Sequence, residues 1–389
     1  MKQNWQYKKL GEVCDVRDGT HDSPKYQLDG IPLITSKNLI NGVIEFDNVN
    51  YISEYDANNI NKRSKVEIGD IIMPMIGTIG NPVINNSKKQ FCIKNVALIK
   101  FLHTSPRNNY IYFLLSSKIF EEYVKKNNKG GTQKFLSLGL IRDLIIPIPP
   151  IAEQEKIVAE LDLLSGIIEK QKQQLKELDT LAQSIFYSMF GDPISNEKNW
   201  EKVLLKEVCL PKKDIKRASK FYQSQDNIIY IDISSIDNIA NLIVNPSSYL
   251  FKDAPSRAQL VVTSNDILVS MVRPNLRNVA MILNENNNLV ASSGFCVLRS
   301  KPHIDPKFLF FIVKTDNFTE YLINRVAGAN YPAVREEDIL GYKTFLPPLS
   351  LQNQFAEKIE KIEKQKEAIN KSIEETQKLF DYTMDKYFG

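Results

Sequence analysis

Arginine, asparagine and glutamine carry several hydrogen-bonding groups on one flat head, so they can grip a base edge or a phosphate, and in this 389-residue chain they gather with lysine in short loop-like stretches. Thr20, His21 and Lys25 form one stretch, and Ser36, Lys37 and Asn38 a second. Residues 77–81 set Thr78 and Asn81 beside glycines, and Thr132, Gln133 and Lys134 follow a glycine pair. The second half is more basic, with Lys212, Lys213, Lys216 and Arg217, then Arg273, Asn275, Arg277 and Asn278, then Asn330, Tyr331 and Arg335. Glycine beside small polar residues lets backbone approach an anion closely. An arginine that takes both acceptors of a guanine contributes about 1–3 kcal/mol of discrimination. Ordinary turns, a solvated basic loop and surface ion pairs are the competing readings of the same residues.

Bond-breaking chemistry finds no comparable footing. The chain has no Gly-x-x-x-x-Gly-Lys phosphate loop, no His-Glu-x-x-His, no Gly-x-Gly-x-x-Gly and no Asn-Pro-Pro-Tyr adenine-methylation motif. His21 could serve as a base, but neither a nucleophile nor a metal partner stands near it in sequence. The four cysteines, Cys14, Cys92, Cys209 and Cys296, lie too far apart for a zinc or disulfide pattern and read as buried small apolar side chains. The net charge of +4 conceals a division: residues 151–191 hold seven acids against four bases and residues 349–389 eight against seven, leaving +8 on the remainder. Phosphate binding needs local positive charge of this kind. No window approaches the ~18 apolar residues of a membrane span, and the start of the sequence lacks the apolar stretch of a signal peptide, so a cytoplasmic protein is expected.

The elements that must position these residues occur twice. Trp5 and Glu12-Val13-Cys14 recur as Trp200 and Glu207-Val208-Cys209, displaced by 195. Asp70-Ile71-Ile72 returns as Asp266-Ile267-Leu268, displaced by 196, and Pro149-Pro150, Gln154 and Phe190-Gly191 as Pro347-Pro348, Gln352 and Phe388-Gly389, displaced by 198. A repeat this long is a whole domain with its helix, not a solenoid unit. Within each copy, short β-rich runs (residues 31–34, 70–73 and 95–101, then 228–233 and 266–271) precede helical patches around Tyr110 and Phe308 and around Glu121 and Glu320, which predicts an α+β domain. The expected division is a first domain over residues 1–149, a helix over 150–191, a second domain over 192–347 and a helix over 348–389.

Each helix carries a heptad seam. Ile157, Leu161, Leu164, Ile168, Gln171, Leu175, Leu178, Ala182, Ile185 and Met189 alternate four and three apart. The same register holds Phe355, Ile359, Ile362, Lys366, Ile369, Ile373, Thr376, Phe380, Thr383 and Tyr387. Matching seams in one chain most simply pair with each other. Forty helical residues span roughly 60 Å, and with eight residues between Gly191 and Trp200 the second helix is expected to return antiparallel, as a coiled coil. Gln171 and Lys366 interrupt the seam, either as polar members that set register or as positions near water.

The chain resembles the specificity subunits of type I restriction-modification systems over essentially its whole length. The resemblance is carried by Gly19-Thr-His-Asp-Ser-Pro-Lys-Tyr26, Gly30-Ile-Pro-Leu-Ile-Thr-Ser-Lys-Asn-Leu39, Ile68-Gly-Asp-Ile-Ile72 and Gly131-Thr-Gln-Lys134. The helix starts Ile148-Pro-Pro-Ile-Ala-Glu-Gln-Glu-Lys-Ile157 and Leu346-Pro-Pro-Leu-Ser-Leu-Gln-Asn-Gln-Phe355 are its most specific parts. It implies two target-recognition domains that read the two halves of an interrupted DNA site, with the helices as spacer and docking surface. It also implies two methylation subunits and restriction subunits as partners, with S-adenosylmethionine, ATP and magnesium on those partners and no catalysis in this chain. The second domain lacks the Gly-Thr-His and Thr-Ser-Lys-Asn-Leu segments, which suggests two different half-sites. A coiled-coil adaptor whose domains bind protein is the alternative, and a self-sufficient nuclease would need metal ligands that the sequence does not assemble.

Overall fold

A computed structural model of the chain describes residues 5–77, 79–101, 106–127, 135–283, 286–327 and 332–389. The candidate residues Thr78, Thr132, Gln133, Lys134, Asn330 and Tyr331 lie outside the described residues. The chain divides into two units, Met1–Gln173 with Asn370–Gly389, and Gln174–Ile369.

In the first unit the strand Ile71–Pro74 lies between Val83–Ile84 and Val96–Phe101, with Cys14–Asp18 beyond the latter, all antiparallel. Ile71, Ile72 and Met73 are all fully buried. Alternate strand residues point to opposite faces: Ile71 and Met73 enter the core shared with the helices, while Ile72 enters a second core with Ile34, Leu39 and Phe91. A strand covered on both faces reads as an unbroken apolar run, as this one does. Beside it, Ile31–Ile34 pairs antiparallel with Asn50–Ile52 and parallel with Cys92–Ile93. The second unit repeats the plan. Ile267–Ser270 lies between Val279–Met281 and Phe295–Leu298, and Asn227–Ile231 pairs antiparallel with Ser247–Leu250 and parallel with Leu289–Ser292. Helices Asn108–Leu115 and Lys118–Asn127 in one unit, and Pro306–Lys314 and Asp316–Ile323 in the other, complete an α+β architecture.

Two recurring motifs are explained by packing. Asp70, 5% exposed, accepts from the Glu67 backbone N–H (2.8 Å) and from Lys100 (2.6 Å). Burial pushes its carboxyl up from its ordinary value, with Lys100 and the Glu67 N–H pulling the other way. Asp266, 1% exposed, accepts from the Thr263 N–H (2.8 Å) and from both Nε and Nη2 of Arg299 (2.7 Å each). The Pro-Pro-x-x-x-Gln helix starts bury their glutamines completely. Gln154 donates to the Pro149 carbonyl and accepts from the Arg107 N–H, and Gln352 does the same with Pro347 and Asp305. A side-chain amide with both ends satisfied at a buried turn ties the helix start to its domain.

The long helices are Ile151–Phe190 and Leu349–Phe388. In the first unit, Tyr387 donates to Glu160 (2.6 Å) and Gln171 to Ser372 (2.6 Å), a pairing whose numbers run in opposite directions. Ile157, Leu161, Leu164 and Ile168 are buried there, and Ile373 and Phe380 half-buried. In the second unit Lys366 donates to Asp179 (2.9 Å) and the Phe186 and Phe355 rings meet at 5.7 Å, again antiparallel. Phe355, Ile359 and Ile362 are buried in that unit, with Leu175, Leu178, Ile185 and Ile369 half-buried. Met384 and Phe388 belong to the core of the first unit, where Phe388 packs on Tyr110 at 5.4 Å. Phe190, its counterpart in the repeat, belongs to the core of the second, on Phe308 at 4.7 Å. Each helix therefore ends in the domain of the other copy.

Gln171 Nε2 bonds Ser372, but its buried Oε1 has no partner among the described residues. An unpaired buried amide oxygen costs about 1–3 kcal/mol. Gln171→Leu is therefore expected to stabilise the first unit by about 1 kcal/mol, raising Tm by roughly 2–4 °C in a thermal melt; a lower Tm would assign the hydrogen bond the larger share.

Candidate nucleic-acid interface

In the second unit, residues 272–278 leave the buried strand Ile267–Ser270 and are braced from several sides. Val272 bridges to Ala333, the Arg273 N–H donates to the Pro332 carbonyl (2.8 Å), Pro274 is buried and Asn238 donates to the Leu276 carbonyl (2.7 Å). Asn238 belongs to the turn between Ile236–Asp237 and Leu242–Ile243, so hairpin and loop form one surface. Arg273, Asn275 and Arg277 are exposed and Asn278 is half-buried. Both arginines have left-handed backbone, with φ 49° and 54°. For a residue with a Cβ this costs about 1 kcal/mol or more each. Arg277 pairs with Asp316 at 2.6 Å, both side chains being well exposed, which contributes about 0–1 kcal/mol. Arg335, exposed, stands at the N-terminus of Glu336–Leu340, two residues beyond the bridge at Ala333.

The basic run folds into a cleft of about 600 Å³. Its backbone is held by the edge of Ala258–Val261, through the Arg217–Leu260 bridge and the Val261 N–H on the Lys216 carbonyl. Lys212, Lys213, Lys216, Arg217 and Lys220 line it against one carboxylate, Glu336, which pairs with Lys212. Phe221, 46% exposed, carries the Lys216 ammonium 4.9 Å from its ring centre. Cations around an exposed aromatic ring suit phosphates with a stacked base. Lys220 and Phe221 were legible as a continuation of the basic run. Gln259, which also lines the cleft, had no sequence signal because the sheet brings it there.

In the first unit Thr20 bridges to Lys94, whose N–H bonds the Ile34 carbonyl, so the segment holding Thr20, His21 and Lys25 is next to the one holding Ser36, Lys37 and Asn38. His21 and Lys25 are exposed. The imidazole lies between Asp18 Oδ2 (2.8 Å) and Asn95 Oδ1 (2.9 Å), and Arg63 also binds Asp18. With both ring nitrogens engaged, the imidazole is oriented but offers no free nitrogen for proton abstraction. Gly19 has a packing explanation: a Cβ there would stand 2.4 Å from the Ile93 carbonyl oxygen. Asn38 requires a correction. It is 7% exposed, its Oδ1 accepts from the Thr35 N–H and hydroxyl and its Nδ2 donates one hydrogen to the Asn48 carbonyl, so the amide is buried in the turn and turned away from a base edge. Lys37 is exposed and Ser36 half-buried on the same 3-10 turn.

A second correction concerns the segment that the second copy lacks in sequence. Ile233–Ser235 is a 3-10 turn before the hairpin of Ile236–Asp237 and Leu242–Ile243, as Ser36–Asn38 is before Leu39–Ile40 and Val43–Ile44. Ser235 accepts from the Asp232 N–H where Asn38 accepts from Thr35. The local fold is kept while its residues are exchanged. The loops after the buried strands share two left-handed positions: Gly77 and Asn81 have φ 77° and 52° at the positions of Arg273 and Arg277, displaced by 196.

All four cysteines are buried. Burial pushes the Cys14 and Cys209 thiols up to about 12 and Cys92 to about 11. Among the described residues no group of three His, Cys, Asp or Glu side chains is placed to hold a metal ion, and no helix is long and apolar enough to cross a membrane.

The architecture has solved counterparts. A chain of a type I R-M system, from work on its complex assembly and conformational transition, aligns with a TM-score of 0.56 at 18% identity, covering 100% of this chain and 98% of that one. The S subunit of a type-I restriction-modification system from M. genitalium aligns at 0.52 and 13% identity, covering 99% and 96%. In sequence, the type I restriction enzyme MjaVIII specificity subunit of Methanocaldococcus jannaschii is 24% identical, over 97% of this chain and 90% of its own. The EcoDI specificity subunit of Escherichia coli is 21% identical, over 69% and 65%. The family model for the type I restriction modification DNA specificity domain matches residues 2–179 and again 197–377, and with two copies of that domain over nearly its whole length the chain belongs to this family.

Proposed function

We propose that this chain is the DNA sequence-specificity subunit of a type I restriction-modification complex, each domain reading one half of an interrupted, asymmetric site. The observation that carries the reading is a pair of matched left-handed backbone positions after the equivalent buried strands, held by Gly77 and Asn81 in one unit and by Arg273 and Arg277 in the other. Matched loop positions with exchanged side chains are what two readers of different half-sites require. In this reading Thr20, His21, Lys25, Ser36, Lys37, Thr78, Asn81 and residues 132–134 face DNA from the first domain. Arg273, Asn275, Arg277, Asn278, Asn330, Tyr331 and Arg335 face it from the second, with Lys213, Lys216 and Arg217 on the phosphates. The paired helices act as spacer and offer their outer faces to two methylation subunits, to which restriction subunits add for cleavage. Catalysis, with its S-adenosylmethionine, ATP and magnesium, resides on those cytoplasmic partners.

Methylation mapping of a genome carrying the whole system, with and without this chain, tests the reading. The expected result is a two-part motif, its halves about one helical turn or a little more apart, that disappears with the chain. A continuous motif, or methylation indifferent to the chain, would favour an adaptor that does not read sequence.

A further inference from the structure

Arg273 and Arg277 occupy two positions where the backbone penalises a side chain. In the first unit the same two positions hold glycine and asparagine, the residue types that accept a left-handed conformation most readily. A left-handed backbone at these two positions therefore forms without arginine. Within the free protein the arginines gain little in return: the Arg273 guanidinium has no partner among the described residues, and Arg277 has only the exposed pair with Asp316. Their platform is nevertheless rigid, held by the Pro332 carbonyl, Asn238 and the buried Pro274. Two long cations on a strained, well-braced loop are arranged for a ligand, since strain of this kind persists at sites where a specific side chain is needed.

We propose that Arg273 and Arg277 are the specificity-determining pair of the second domain, each presenting its guanidinium to the O6 and N7 acceptors of a guanine in one half of the target. The proposal rests on the reading that this domain contacts DNA, and it goes beyond that reading by separating these two residues from the phosphate-binding lysines. It also makes a prediction that a structural arginine would not satisfy: replacement by the first unit's residues should improve the fold while impairing recognition.

The experiment uses the full chain assembled with its methylation subunits, and variants R273G, R277N, R273K and R277K. The methylation map of the parent defines the motif, and a duplex carrying it is the binding probe, with a scrambled duplex as control. R273G and R277N should raise the Tm of the chain. Each should weaken cognate binding roughly ten- to a hundredfold and relax the motif at a guanine position of one half only. The lysine variants, which keep the charge but lose the paired donors, should lose the same guanine preference without change in the salt dependence of binding. An unchanged motif in R273G and R277N overturns the proposal while leaving the functional reading standing. Equal losses on cognate and scrambled duplex, with the salt slope reduced by about one per residue, would make the arginines phosphate contacts and overturn it also. A fall in Tm in both variants would make them structural. A parent with no motif that depends on the chain removes the functional reading and this proposal together.

Discussion

Phe388→Ala should loosen the first recognition domain, from which Phe388 is separated by more than two hundred residues of sequence, and leave the second domain intact. Phe388 is 1% exposed and lies with Met384, Ile157 and Tyr110 in the core of the first unit. Truncating a buried phenylalanine costs about 3–5 kcal/mol, through lost burial and the cavity left behind. Amide hydrogen exchange in Asn108–Leu115 should accelerate at least about a hundredfold, while Pro306–Lys314 keeps its protection. Phe190→Ala is the reciprocal experiment: Phe190 is fully buried against Phe308, Phe345 and Phe355, so exchange should accelerate in Pro306–Lys314 and not in Asn108–Leu115. If each substitution loosened the domain that precedes its own helix in sequence, the exchange of helix ends would be refuted.

Asp266→Ala should be the costliest polar substitution in the second unit. The carboxylate receives two hydrogen bonds from Arg299 and one each from the Thr263 N–H and hydroxyl, and its removal leaves a guanidinium with 24% side-chain exposure facing a void. Breaking one partner of such a pair costs about 3–5 kcal/mol, much of it from the stranded charge. Denaturant unfolding should show this as a lower midpoint for the second unit. The double variant Asp266→Leu with Arg299→Met should recover most of the loss, because no charge is then stranded. Asp70→Ala, in the first unit, should cost less, since Lys100 keeps Glu67 as a second partner at 3.0 Å. A single Asp266→Ala variant within about 1 kcal/mol of the parent would mean that water reaches Arg299 freely.

Buried anchors of the domain plan have counterparts in both units. Asp70 and Asp266 anchor the turn that opens each buried strand, and Gln154 and Gln352 anchor each helix start. Neither aspartate nor glutamine reaches the surface that carries Arg273 and Arg277. Loop residues can therefore be exchanged without disturbing the charge pairs and clamps that define the frame. This separation explains how the same domain plan carries Gly77 and Asn81 in one unit and two arginines in the other.

The sequence by itself determined the duplication, the α+β class, the extent and register of both helices and the family resemblance. These properties are written locally: period-seven spacing, proline before a helix, glycine after it, and short apolar runs between turns. It also singled out the loop around Arg273 by position. What only the tertiary structure decided concerns partners distant in the chain. A heptad seam states that a face is apolar but not what covers it, so the closing of each core by the other copy's helix could not be read from spacing. Asn38 and Lys37 are adjacent and equally polar in sequence, yet Asn38 is buried because Thr35 and Asn48 close around its amide. The likeness of residues 232–237 to residues 35–40 was hidden because a serine hydroxyl there does the work of an asparagine amide. The left-handed backbone at two arginines was likewise unreadable, because residue type predicts the opposite and the bracing contacts come from Asn238 and Pro332.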